Sequence, residues 1–152
     1  ESGCLEALAA FPGIEVISSE SYANDEQKAQ QTAASLLLAH PEVDGVFCPN
    51  ESTTHGFLVA LQQASLASKV KFVGFDSSEP LQRGLEQGHL HGLVLQDPVA
   101  MGRKGVEAMV SVLRGQEVVR DQTTELALAT PLNCKEPRIA LLLAPDLSIL
   151  QR

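Results

Sequence analysis

The sequence is poor in aromatic and sulfur-containing side chains. It has no Trp, one Tyr and five Phe among 152 residues, so few rings are available to stack against a ligand. The three cysteines, Cys4, Cys48 and Cys134, are an odd number without CxxC spacing. Neither a disulfide framework nor a zinc site is therefore indicated. A single disulfide stays open, and buried or free thiols are the favoured interpretation.

Positive charge and long apolar runs are also scarce. The 11 Lys and Arg residues are scattered among 19 Asp and Glu residues, which gives a net charge of −8. Phosphate binding needs clustered basic residues, so nucleic acid is excluded as the expected partner of this segment. No run reaches the ~18 apolar residues of a membrane span, and no signal peptide is recognisable. Because the first residue is Glu1, we expect a processed or truncated chain.

Signatures of catalysis are missing as well. The sequence contains no GxSxG, GxxxxGK or HExxH motif, and no DxD pattern that would hold magnesium surrounds Asp76. His89 and His91 would share one face of a strand, but no third metal ligand is evident. We therefore expect a protein that is not an enzyme and that carries no cofactor and no metal.

The apolar segments alternate between strand-like and helix-like patterns. Their alternation predicts an α/β fold of three αβα layers with a mainly parallel sheet. After Gly115 the pattern loosens, with one more candidate strand and a tail, 134–152, of short helices. Strands are predicted at 14–17, 43–48, 69–75, 90–96 and 123–130, and helices at 3–11, 25–40, 52–64, 78–88 and 98–115.

Polar side chains follow three of the predicted strands. Asn50, Asp76 and Gln96 each come directly after an apolar run, and ligands of parallel α/β sheets collect at that edge. One carboxylate and two amides suit a neutral ligand rich in hydroxyl groups. Each residue also has a structural interpretation: Asp76 can cap a helix, Asn50 can shape its loop, and Gln96 can satisfy backbone groups.

Three motifs carry a resemblance to a known family. They are "HPEVDGVFCPN" (40–50), "VGFD" (73–76) and the spaced pattern G.L.G.V.QDP..MG..GVE (88–107). In this order they resemble the second lobe of the periplasmic sugar-binding proteins of ABC importers, of the ribose-binding type. The resemblance covers about residues 1–133.

The resemblance implies one lobe of a two-lobed protein that closes on a sugar. Asn50, Asp76 and Gln96 would then hydrogen-bond the hydroxyls of a monosaccharide such as ribose, and Asn24 falls near a further ligand position that is often aromatic. It also implies a periplasmic location and the membrane subunits of an ABC importer as partners. Relative to the family, the first lobe is missing, and so is the first strand of the second lobe. Sugar binding by this segment alone is therefore expected to be weak or undetectable.

The predicted helix 98–115 packs on the first lobe in that family. In the absence of that lobe, the apolar side chains of this helix must be covered in another way, which predicts self-association or rearranged packing. These side chains include Val99, Val106, Met109, Val110 and Leu113. An alternative function is the ligand-sensing domain of a lactose-repressor-type transcription regulator, which shares the fold. An enzyme of flavodoxin-like topology is a third hypothesis, but it lacks a phosphate loop or a catalytic pair.

Overall fold

The computed structural model describes residues 2–20 and 25–145. In this part of the chain, no helix is long and apolar enough to cross a membrane. Six helices and four strands follow one another along it: α1 (Ser2–Leu8), α2 (Glu26–Ala39), β1 (Gly45–Phe47), α3 (Glu51–Gln63), β2 (Lys71–Phe75), α4 (Glu79–Glu86), β3 (Gly92–Leu95), α5 (Pro98–Leu113), β4 (Ala127–Ala129) and α6 (Pro137–Leu143).

The strands form one sheet in the order β1-β2-β3-β4. The first three are parallel, with Phe47 opposite Val73 and Phe75 opposite Val94, and β4 runs antiparallel to β3. A helix lies between each pair of parallel strands, as such crossovers require. The predicted α/β class with a mainly parallel sheet is thus confirmed.

Helix starts follow the local sequence. Asp25 caps α2 by accepting a hydrogen bond from the Lys28 backbone N–H, at 3.0 Å. Asp97 caps α5 in the same way, and Pro98 occupies the first turn, where its missing N–H costs nothing. Helix α3 begins at Glu51, one residue before the predicted range 52–64, and Asn50 is its N-cap.

The hydrophobic core lies against one face of the sheet. The sheet contributes Phe72, Leu93, Leu95 and Ala129 to this core, together with Cys48, the residue that follows β1. Helices α2, α3, α4 and α6 supply the other side of this core. Side chains of the opposite face, such as Val73 and Phe75, are half-buried, and Phe47 and Leu128 are exposed.

The predicted strand at 14–17 is not a strand in the structure. Its apolar residues are exposed, with 52% of Ile14, 48% of Val16 and 41% of Ile17 accessible to solvent. A strand forms only when a neighbour takes up its hydrogen-bonding groups, and no strand of the described chain pairs with this run.

Two helices make little contact with the rest of the molecule. Neither α1 nor α5 contains a buried residue. On α5 the solvent-exposed side chains include Val99, Met101, Val106, Met109, Val112 and Leu113. Of the residues expected to need cover, only Val110 is half-buried. The apolar surface of α5 is therefore open in this chain.

Candidate functional site

The register of the sheet brings the three predicted strand-end residues to one edge. Phe47 lies opposite Val73, so extending that register places Asn50 opposite Asp76. Phe75 lies opposite Val94, which places Gln96 opposite the residue after Asp76. Neighbouring strands are ~4.8 Å apart. The carboxyl edge of β1, β2 and β3 thus gathers one carboxylate and two amides in a single row.

Asn50 has the structural role that the sequence left open. Its Oδ1 accepts hydrogen bonds from the backbone N–H of Thr53 at 3.0 Å and from the Thr53 hydroxyl at 2.9 Å. The residue is half-buried and in an extended conformation. As the cap of α3 it is fixed in position, and its side chain is held at the edge where β1 ends.

Asp76 does not cap the helix that follows it. Ser78 occupies the cap position of α4, without a side-chain hydrogen bond to the helix. The Asp76 backbone has φ 64°, a left-handed conformation that is uncommon for residues with a Cβ, although Asp and Asn adopt it more readily than the others. Its N–H donates to the Val94 carbonyl at 2.8 Å, which fixes the residue against β3. The capping interpretation is therefore wrong.

The Asp76 carboxylate is half-buried and makes no hydrogen bond to another described residue. Burial, and secondly the negative charge of Glu51, raises the pKa of Asp76 above its usual value. A strained, partly desolvated carboxylate without a partner lowers stability. Such an arrangement is typical of a group that binds a ligand.

Gln96 is also without a structural partner in the described chain. It is half-buried and makes no hydrogen bond there, while its neighbour Asp97 caps α5 by accepting from Ala100 N–H at 2.8 Å. The proposed backbone role for Gln96 is thus not observed. Asn24, the fourth predicted site residue, lies outside the described residues.

Sequence reasoning missed Thr54, which joins the two strand ends. Its side chain is fully buried, its hydroxyl donates to the Asn50 carbonyl at 2.7 Å, and it accepts from the Phe75 N–H at 3.0 Å. A Cβ added at Gly74 would lie 2.1 Å from Thr54 Cγ2, so only glycine fits beside it. The "STTHG" run suggested a helix start, but nothing in it indicated a contact 21 residues away.

The histidines and cysteines do not assemble into a second site. The part of the chain that the structure describes holds no group of three or more potential metal ligands. His89 Nδ1 lies 3.1 Å from Gln62 Nε2, and His91 Nδ1 accepts from the Phe72 N–H at 3.2 Å. All three cysteines are free thiols. Burial raises the pKa of Cys48 to about 12, which makes it an inert core residue.

The fold and this edge have the arrangement in which parallel α/β proteins commonly bind small molecules, beyond the carboxyl ends of the strands. A family model of the periplasmic binding protein domain matches residues 1–117. The chain belongs to that family, which confirms the resemblance noted in the sequence.

Individual proteins agree with the family. The chain is 35% identical to the ribose import binding protein RbsB of Salmonella typhimurium over 126 residues, which are 83% of this chain and 42% of that protein. It is 26% identical to the D-allose-binding periplasmic protein of Escherichia coli over 78% of this chain and 38% of that protein. The chain thus spans less than half the length of the curated relatives it matches.

Solved structures are likewise covered to about half of their length. An Agrobacterium vitis ABC transporter solute binding protein with bound α-D-tagatopyranose superposes with a TM-score of 0.91 and 26% identity, over 96% of this chain and 49% of that one. An Agrobacterium radiobacter carbohydrate transporter solute binding protein in complex with D-arabinose gives a TM-score of 0.89 and 30% identity, over 93% of this chain and 48% of that one. The relatives are sugar-binding transport proteins, in agreement with the expectation of a binding protein.

Proposed function

We propose that this chain is one half of the substrate-binding component of an ABC sugar importer. It would bind a monosaccharide such as ribose by hydrogen bonds from Asp76, Asn50 and Gln96. The observation that carries the proposal is Asp76, whose half-buried carboxylate is held in a left-handed backbone conformation without a hydrogen-bond partner among the described residues. Two sugar hydroxyls would supply the missing donors.

The chemistry of the edge supports a neutral sugar. A carboxylate accepts from two adjacent hydroxyls, and an amide both donates and accepts, as a hydroxyl does. Asp76 has already lost part of its hydration on folding, and hydrogen bonds from sugar hydroxyls would compensate that loss. The free energy of desolvating the carboxylate would therefore not count fully against ligand binding. The ribose, allose, arabinose and tagatose named for the relatives are all of this chemical class.

The proposal extends to location and partners. The transport function of the relatives favours the importer over the alternative of a transcription regulator. We place the whole protein in the periplasm, with the membrane subunits of the importer as its partners. The exposed α5 would pack on a second half of the protein. In this chain by itself, we expect α5 to support self-association.

The test is a titration of the chain with a panel of pentoses and hexoses, followed by the NMR shifts of backbone amides. Because only one half of the site is present, we expect a Kd in the range of about 1 mM or weaker. The shifts should cluster after β1, β2 and β3. Asp76→Ala should abolish them, whereas Asp121→Ala, which removes an exposed carboxylate, should leave them unchanged.

Two outcomes count against the proposal. One is a shift pattern that survives in Asp76→Ala, since the carboxylate would then not touch the sugar. The other is the absence of any shift at about 100 mM of every sugar, a concentration that would saturate even a millimolar site.

A further inference from the structure

The loop between β2 and α4, residues 76–78, carries the candidate sugar acceptor Asp76. On its upstream side, the Asp76 N–H donates to the Val94 carbonyl at 2.8 Å. On its downstream side, Ser78 occupies the cap position of α4, but its hydroxyl makes no hydrogen bond within the described chain. The loop therefore receives no support from a side-chain cap of the helix that follows it.

Ser77 instead connects this loop to α6. Its hydroxyl donates to the Leu143 carbonyl at 2.7 Å, and Gln82 of α4 donates through Nε2 to the same carbonyl at 2.7 Å. Gln82 Nε2 also donates to the Ser77 hydroxyl oxygen at 3.2 Å. The three groups close a triangle of hydrogen bonds that joins the loop and α4 to a helix 61 to 66 positions further along the chain.

The acceptor of this triangle is presented by a helix that is seated in the core. Leu143 is the last residue of α6, where the carbonyls of a helix have no partner within it, and a carbonyl oxygen can accept two hydrogen bonds. Ile139 and Leu143 are each 8% exposed and belong to the same hydrophobic core as Leu81 and Leu85 of α4. Because the family model matches residues 1–117, membership of the family does not by itself account for this contact.

We propose that Ser77 is a positioning residue for the sugar acceptor, and that α6 holds the loop of Asp76 in its binding geometry through the Leu143 carbonyl. The backbone of Asp76 has φ 64°, and a residue with a Cβ keeps this conformation where the surrounding contacts fix it. The Val94 carbonyl fixes the peptide group before Asp76, and the Leu143 carbonyl fixes the side chain of the next residue.

A loop fixed on both sides favours ligand binding. Ordering a loop when a ligand binds lowers the affinity, and a loop that is already ordered avoids this loss. The bound sugar would therefore meet the Asp76 carboxylate at a set position relative to β3. The part of this inference that concerns sugar rests on the proposed function of Asp76, whereas the link between α6 and the loop does not.

The test compares amide hydrogen exchange at Asp76 and His91 in the whole chain. Each N–H donates at 2.8 Å to a backbone carbonyl across β2 and β3, Asp76 to Val94 and His91 to Phe72, at opposite ends of the strands. A loss of global stability alone does not raise the Asp76 rate relative to the His91 rate. Ser77→Ala should raise that ratio about 5-fold, the effect of one lost hydrogen bond.

Two variants serve as controls for Ser77→Ala. Ser77→Thr keeps the hydroxyl and should restore the wild-type ratio. Ser35→Ala removes a hydroxyl of the same kind, which donates to the Gln31 carbonyl within α2 at 3.1 Å, and should leave the ratio unchanged.

A further variant tests the contribution of α6. Ile139→Ala removes packing one turn from Leu143 and leaves all three hydrogen-bonding groups in place. It should raise the ratio in the wild-type background and have little further effect in Ser77→Ala, because the loop is then already released. Such non-additivity is the signature of a coupling between the two positions.

A sugar titration separates this inference from the proposed function. Where a sugar binds, Ser77→Ala should raise its Kd about 5-fold and Ser77→Thr should restore it. If no sugar binds the chain, the proposed function fails, and the exchange ratio still decides whether α6 holds the loop.

Four results would overturn the proposal. An unchanged ratio in Ser77→Ala would show that the hydroxyl does not hold the loop, and an equal rise in Ser77→Thr would assign the effect to packing. Equal effects of Ile139→Ala in both backgrounds would separate α6 from the loop. A sugar Kd that is the same in wild type and Ser77→Ala would reject the positioning role.

Discussion

Replacing Asp76 by glycine should stabilise the fold while it removes the candidate sugar acceptor. The backbone at Asp76 has φ 64°, and a left-handed conformation costs a residue with a Cβ about 1–2 kcal/mol. Glycine removes that cost, but the more flexible unfolded chain offsets about 0.4–1 kcal/mol of the gain. The free energy of unfolding should therefore rise by about 0.8 kcal/mol from the backbone alone.

The lost carboxylate adds a pH-dependent part. Burial, and secondly Glu51, raises the pKa of Asp76 in the folded chain, so the folded state holds the proton more tightly than the unfolded state does. Below the ordinary pKa of Asp the carboxyl is protonated in both states, and it does not lower the free energy of unfolding. As the pH rises through the raised folded pKa, the carboxyl ionises in the folded chain and the free energy of unfolding falls. The gain from Asp76→Gly should be larger at about pH 8 than at about pH 4.

Ser65 offers a matched control. It has φ 57° and, with Asp76, is one of the two described non-glycine residues in the left-handed region, but it carries no ionisable group. Urea unfolding at both pH values should show a gain for Ser65→Gly that does not depend on pH. If Asp76→Gly is less stable than wild type while Ser65→Gly gains, or if their difference does not change with pH, the reasoning about Asp76 is wrong.

Three further predictions concern the site and α5. Thr54→Val should lower the unfolding free energy by about 1–3 kcal/mol because it leaves the Phe75 N–H unpaired, and Thr54→Ser should retain most of the stability in the same urea assay. Gly74→Ala should lower the free energy of unfolding by about 1–3 kcal/mol or more, because the new Cβ would lie 2.1 Å from Thr54 Cγ2. Unchanged thermal stability would refute this packing. Met109→Glu with Val112→Glu should change stability by less than about 0.5 kcal/mol, since both side chains are exposed, and should reduce any self-association through α5 by light scattering; a large loss of stability would contradict their exposure.

Local rules made much of the fold predictable. The helix at 25–40 was found within one residue at each end, because Asp25 caps it and Pro41 follows it. Asp97, Pro98 and Gly115 likewise delimit α5. The prediction of a strand at 14–17 was wrong. The β-branched run there has strand propensity, but a strand forms only beside a neighbouring strand, which the local sequence does not specify.

The candidate site divides in the same way. Asn50, Asp76 and Gln96 could be found because each ends an apolar strand, and the parallel topology then brings strand ends together. Which of them serves a structural role could not be read from residue types, since Asn and Asp are both common caps. The structure assigned that role to Asn50 and left Asp76 and Gln96 without a hydrogen-bond partner among the described residues.

By itself, the sequence determined most of the helices and strands, the family and the polar residues at the strand ends, because these depend on periodicity, caps and motifs that are local in the chain. Only the tertiary structure decided that Thr54 links two strand ends, that Asp76 has a left-handed backbone, and that α5 contains no buried residue. Those features arise from contacts between residues far apart in sequence, and from surfaces whose cover the local pattern cannot specify.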